Sequence, residues 1–176
     1  MIQHLSLLNP FGRIDDRERA TAAARGGAVA LAIGALISLY GAAKLYLMPA
    51  ALTEAMRAGM AGSASTNPDA AKVAEAMIPG VMQMAAMMSI GIAVVLLILA
   101  VVQWRRLTRI IPLIFACLGA LGLVMAALGM VMIASGMTPS PPVPLAETVI
   151  TRALSLVTLV LHIGAYRGAD WLAKAT

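Results

Sequence analysis

Four stretches of this chain, 26–48, 79–103, 110–137 and 145–166, each supply the roughly 20 or more apolar residues that a helix needs to cross a hydrocarbon core about 30 Å thick. Four such segments in 176 residues leave little else to build with. Hydrophobic residues make up 61% of the chain, charged ones 12%, and the mean hydropathy is +0.89, so too few polar side chains remain to cover a water-soluble globule. The expected fold is an all-α integral membrane protein, a four-transmembrane-helix bundle forming a single membrane domain over 1–176. The first span is full length and follows a long, acid-containing leader, so it is expected to be an uncleaved helix rather than a signal peptide.

Lysine and arginine positions set the expected orientation. Arg13, Arg17, Arg19 and Arg25 precede the first span, Arg105, Arg106 and Arg109 sit at the 104–109 link, and Arg167 and Lys174 lie in the 167–176 tail. The other side keeps Lys44, Arg57, Lys72 and Arg152, offset by Glu54, Asp69, Glu75 and Glu147. The whole formal excess of +5 therefore falls on one side, and the positive-inside rule makes that side cytoplasmic, with both termini in and the chain in the cell's inner (plasma) membrane. Trp104 and Trp171 stand beside the same ends, where an indole with an apolar body and a wet N–H belongs. The charge records insertion and implies no nucleic-acid partner.

The links carry their own signals. Residues 1–25 are expected as a cytoplasmic tail, with Leu5, Leu7, Leu8, Phe11 and Ile14 suited to the headgroup region or else part of a loose tail. The 49–78 link is expected to form a short helical outer loop. In it, 50–58 reads as one small helix, 59–65 as a break, and Asn67 with Pro68 as the N-cap and first residue of a second helix. Pro139, Pro141, Pro142 and Pro144 make the 138–144 link extended and stiff.

Helix association in lipid gains little from hydrophobicity and depends on close packing by small residues. Gly26, Ala30, Gly34, Ser38 and Ala42 form the expected packing face of the first span, with shorter echoes at Ala85, Ser89 and Ala93 and at Gly122 and Ala126. Whether that face packs within the chain or between chains is left open by the spacing.

Two features offer chemistry. Thr148, Thr151, Ser155, Thr158 and His162, spaced by three and four, form one polar stripe of the fourth span with Arg152 beside it. The stripe is read first as an interhelical seam whose hydroxyls can return to the backbone, with Arg152 snorkelling or pairing with Glu147, Glu54 or Glu75, and second as a transport path. Beyond Met1, every methionine maps to the outer half under the expected topology. Met82, Met84, Met88, Met130 and Met132 have spacings that could hold a monovalent copper ion, for which thioether is a suitable ligand, though methionine equally lines adaptable packing grooves. Lys44 is read as snorkelling to the outer headgroups, with an ion pair to Glu147 as the alternative. Cys117 is read as a small buried apolar residue.

Several activities are excluded. One cysteine allows no intramolecular disulfide and no C-x-x-C. Two histidines, His4 in the polar tail and His162, cannot supply a haem pair within the bilayer. Metalloprotease, nucleophile-elbow and phosphate-loop signatures are missing, and no cofactor is expected. His162 and Arg152 are ten residues apart, about 15 Å along a helix, too far to serve one reacting atom. The sequence thus points to a non-catalytic accessory subunit or assembly factor of a membrane complex. Its expected partners are the lipid bilayer and other membrane subunits or copies of itself. The alternatives are a small transporter or channel using the fourth-span stripe, or a copper(I)-handling protein using the methionines.

Overall fold

A computed structural model describes residues 12–47, 50, 53–54, 68–135 and 145–175 of the chain. Four helices account for nearly all of these: α1 (Arg17–Leu47), α2 (Pro68–Arg106), α3 (Ile110–Ala134) and α4 (Leu145–Lys174). Each contains a stretch long and apolar enough to cross a membrane. The 138–144 link, the leading residues to Phe11 and most of the 49–67 segment lie outside the described residues.

Three of the four helices outrun the spans that hydropathy marks, because apolarity reports where lipid is while helix ends are set by caps and breakers. α1 begins at Arg17 rather than at residue 26. Asp16 caps it by accepting the Arg19 backbone N–H at 2.7 Å, and its first turns carry ion pairs from Arg19 to Asp15 and Asp16. α4 runs eight residues past 166, with Lys174 bonded to Asp170 across its last turn at 2.6 Å. α3 stops at Ala134, three residues short of the expected end.

The largest difference is in α2. It starts at Pro68, as the Asn67-Pro68 signal predicts, but does not end before the second span: one helix of 39 residues runs through Pro79 to Arg106. The expected second surface helix is the first part of α2, a rod about 58 Å long in all. Pro79 lacks an N–H to give back to the preceding turn, yet a proline is tolerated in a long membrane helix where neighbouring groups re-satisfy the freed carbonyl. The first small helix of the 49–78 link is described only at residues 50 and 53–54, which are helical.

α1 is the central element. It packs against α2 on one side and α4 on another, and α3 packs against α4. The α2 and α3 helices do not pack along their lengths, although only residues 107–109 separate them. Leu107, which reverses the chain there, has φ of 48°, a left-handed conformation costly for a branched side chain. The inner face of α2 follows Ile78, Met82, Ala86, Ala93, Ala100 and Gln103, a spacing close to seven residues in its second half that matches nearly parallel packing on α1. In contrast, among the described residues of α3 only Pro112 is buried.

Candidate functional site

The five-residue small face of α1 is distributed over two interfaces. Residues four apart advance about 40° around a 3.6-residue helix, so a run of five winds through about 160°. A Cβ placed on Gly26 would meet Leu161 of α4 at 3.7 Å, whereas one on Gly34 would meet Leu96 of α2 at 3.4 Å. Ala30 and Ala42 are buried, and Ser38 is partly so. The face therefore packs within the chain.

The tightest positions are Gly27 and Gly168. A Cβ on Gly27 would stand 2.9 Å from the Ala165 Cβ, 3.3 Å from Pro112 and 3.5 Å from Gln103, so α2, α3 and α4 all converge on this one residue of α1. A Cβ on Gly168 would fall 2.5 Å from the Ala20 carbonyl oxygen and 2.8 Å from the Ala24 nitrogen. Only glycine lets the two backbones approach so closely. The signal that reveals Gly168 is Gly164-x-x-x-Gly168, which the hydropathy boundary at 166 cuts in two.

Gln103 joins this junction with hydrogen bonds. It is fully buried, its Nε2 donates to the Ala24 carbonyl at 3.1 Å, and its Oε1 accepts from the Thr108 hydroxyl at 3.0 Å. A buried primary amide is stabilising only when its donor and acceptor are both engaged; here they tie α2 and the α2–α3 link to α1. Close by, the Arg25 guanidinium lies 5.0 Å over the Trp104 ring, a cation–π arrangement suited to a membrane interface.

The polar residues of α4 separate into three environments. Ser155 donates to the Thr151 carbonyl and Thr158 to the Ser155 carbonyl, both at 2.9 Å, so these hydroxyls return to their own helix. Thr148, Thr151 and Arg152, with Glu147, line a groove of about 410 Å³ whose opposite wall is Met125, Ala126, Gly129, Met130 and Ile133 of α3. His162 is 5% exposed and stacks on Phe115 with ring centroids 5.5 Å apart; its Nδ1 has no hydrogen-bond partner among the described residues. The stripe thus continues as a helical register but not as one lined path.

At the end of the bundle away from Gly27, Lys44 of α1 donates to both carboxylate oxygens of Glu147 on α4, at 2.6 and 2.8 Å. This corrects the expectation that Lys44 snorkels. A carboxylate within reach offers an ammonium more than the distant headgroups do. It also removes Glu147 as the counter-charge for Arg152, which is exposed and makes no ion pair with any described residue. Cys117 likewise differs from expectation: it is exposed on α3, because α3 turns only one narrow strip to α4.

The methionines do not converge. Met82 is buried against α1 and accepts from the Thr53 hydroxyl at 3.6 Å, while Met84 and Met88 are exposed on α2 and Met130 and Met132 on α3, a helix that does not pack on α2. Among the described residues there is also no group of three histidine, cysteine or carboxylate side chains that could hold a metal. No family model, curated protein or solved structure matches the chain.

Proposed function

We propose that this chain is a non-catalytic, multi-pass subunit or assembly factor of a membrane complex, inserted with both ends cytoplasmic in the inner (plasma) membrane. The observation that carries the reading is the state of α3. It rests on α4 alone for most of its length, buries only Pro112 among its described residues, and stands apart from α2. Both helices carry exposed methionines, Met84, Met87 and Met88 on α2 and Met125, Met130 and Met132 on α3, of which Met125 and Met130 also line the α3–α4 groove. Gly91 and Gly122, where an added Cβ would meet nothing within 4 Å, leave room on these helices for a close neighbour. Flexible thioethers beside small residues suit the reception of another helix.

The basic residues Arg17, Arg105, Arg106, Arg109, Arg167 and Lys174, beside the helix ends that share a side under this topology, support the proposed orientation. A transport reading draws less support, since the hydroxyls of Ser155 and Thr158 are occupied by their own helix. Copper handling draws less still from methionines spread over separate faces.

Site-specific photo-crosslinking in intact membranes tests the proposal. With the probe at Leu118, Leu121, Val124 or Leu128, exposed positions that share one face of α3, the expected result is a cross-link from that face to one membrane polypeptide. A cross-link to a second copy would place the partner within a homo-oligomer. Capture of lipid alone at all four positions would overturn the subunit reading.

A further inference from the structure

A second groove, of about 530 Å³, opens at the basic end of the bundle, where α1 begins and α2 and α4 finish. Arg17 and Thr21 line it from α1, Arg106 and Leu107 from the end of α2 and its link, and Trp171 and Leu172 from α4. Its volume is within the roughly 300–1,000 Å³ typical of small-ligand sites. Among the described residues no carboxylate lines it. Of the acids at this end, Asp15 and Asp16 pair with Arg19 and Asp170 with Lys174 and Arg109, and Glu18, although next to Arg17 in sequence, does not line the groove. Arg17 and Arg106 form no ion pair among the described residues.

Arg17 and Arg106 bring two like charges to one groove from different helices, and an anion bound there is attracted to both and relieves their mutual repulsion. The planar fork of arginine matches the oxygens of a phosphate better than it matches water. The groove is also held in place: the Gln103 hydrogen bonds to Ala24 and Thr108 fix the α2–α3 link, and so the root of Arg106 and Leu107, against α1. Leu107, Leu172 and the half-buried Trp171 add apolar lining to the groove that a free inorganic ion would leave uncovered. The Trp171 indole N–H makes no hydrogen bond with the described residues, and at an interface such a group reaches for ester or phosphate oxygens.

We infer that this groove binds the phosphate of an anionic phospholipid, with Arg17 and Arg106 on the headgroup and Leu107, Trp171 and Leu172 against its glycerol and upper acyl carbons. The inference rests on the chain spanning a bilayer, a premise checked independently by whether the protein stays in membranes after alkaline extraction. It does not depend on the identity of any protein partner.

The test uses the full chain in nanodiscs of phosphatidylcholine containing a minor share of phosphatidylglycerol, followed by native mass spectrometry of the released protein. The wild type is expected to retain phosphatidylglycerol in preference to phosphatidylcholine. The R17Q/R106Q variant should lose that preference by about 25-fold, roughly fivefold for each charge removed, and R106Q alone by about fivefold. The R105Q variant removes a neighbouring charge that does not line the groove and should retain the lipid as the wild type does. Equal retention by R17Q/R106Q would overturn the inference, as would an equal loss in R105Q, which would mean diffuse surface charge. Displacement of the bound lipid by millimolar inorganic phosphate would reassign the groove to free phosphate. Circular dichroism and elution volume confirm that each variant is folded.

Discussion

Replacing Gly168 by alanine adds one methyl group at the closest approach of α1 and α4, and the structure fixes what that methyl meets. Its carbon would stand 2.5 Å from the Ala20 carbonyl oxygen, 2.8 Å from the Ala24 nitrogen and 2.9 Å from the Ala23 Cβ. Carbon atoms pack at about 3.5–4.0 Å, so the overlap is on the order of 1 Å. All three neighbours belong to backbone or to a Cβ, and no rotamer change can relieve them. The helices have to separate, which also loosens the Gly27–Ala165 contact further along the same interface. Overpacking of this kind costs about 1–3 kcal/mol. In water alanine would recover about 1 kcal/mol through helix propensity, but helices persist in the unfolded state of a membrane protein in detergent, and that gain cancels. The expected net loss is about 2 kcal/mol, or about 30-fold in the unfolding equilibrium. The assay is equilibrium unfolding in mixed micelles by titration with sodium dodecyl sulfate, followed through Trp104 and Trp171. Gly91→Ala is the control, since nothing lies within 4 Å of a Cβ there; it should unfold with the wild type. A Gly168→Ala curve superimposed on that of Gly91→Ala would refute the close-packing argument.

Three further outcomes follow from the same structure. Lys44→Gln and Glu147→Gln should each destabilise by about 1–2 kcal/mol, between the values for exposed and for buried pairs, because the two side chains are 26% and 27% exposed. The double variant should recover part of the loss, and strictly additive single effects would show that the 2.6 Å contact contributes no coupling. Gln103→Leu deletes the hydrogen bonds to Ala24 and Thr108 at the four-helix junction and should cost about 1–2 kcal/mol; wild-type stability would show that packing alone holds the junction. For sidedness, a cysteine at Arg13 in a Cys117→Ala background should react with a membrane-impermeant maleimide only after permeabilisation, and one at Thr53 in intact cells. The reverse pattern would invert the topology.

What could be read from the sequence divides along a physical line. Spans follow from local composition, so all four were legible, and so was the start of α2, which a proline and its cap specify within three residues. Helix ends beyond the bilayer were not, because Arg17 to Arg25 and Arg167 to Lys174 are polar yet helical, and hydropathy cannot tell a solvated helix from a tail. The Lys44–Glu147 pair is hard to read from sequence and snorkelling is the simpler expectation, since the two residues are 103 positions apart and nothing local brings them together. The small face of α1 was found, but its winding between α4 and α2 appears only when the 40° drift per step is set against two neighbours. The hydroxyls of Ser155 and Thr158 return to the backbone, as Ser and Thr in a membrane helix can do without any partner at all.

The position of α3 shows why a short link does not decide which helices pack. Three residues join α2 to α3, and linked antiparallel helices are ordinarily neighbours. Here α1 presents small residues on two flanks. Ala20, Ala24, Gly27 and Ala28 lie towards the Gly27 junction, and Gly34 lies against Leu96 of α2. Both α2 and α4 can therefore approach α1 closely, and each such approach gains dispersion contacts that a Leu- and Val-rich helix cannot offer. With α1 occupied on both sides, α3 meets the rest of the bundle at Pro112 and Phe115 near the junction and then follows α4 alone. The left-handed Leu107 turns the chain sharply enough to allow this. Close packing is thus concentrated around Gly27, Gln103, Ala165 and Gly168, while the length of α3 is left with apolar surface on most sides. A chain evolved to stand alone in lipid would gain stability by closing α3 onto α2 with the same small residues that α1 uses. Instead α2 and α3 both keep methionines exposed, flexible side chains that the proposed subunit role would use to receive another helix.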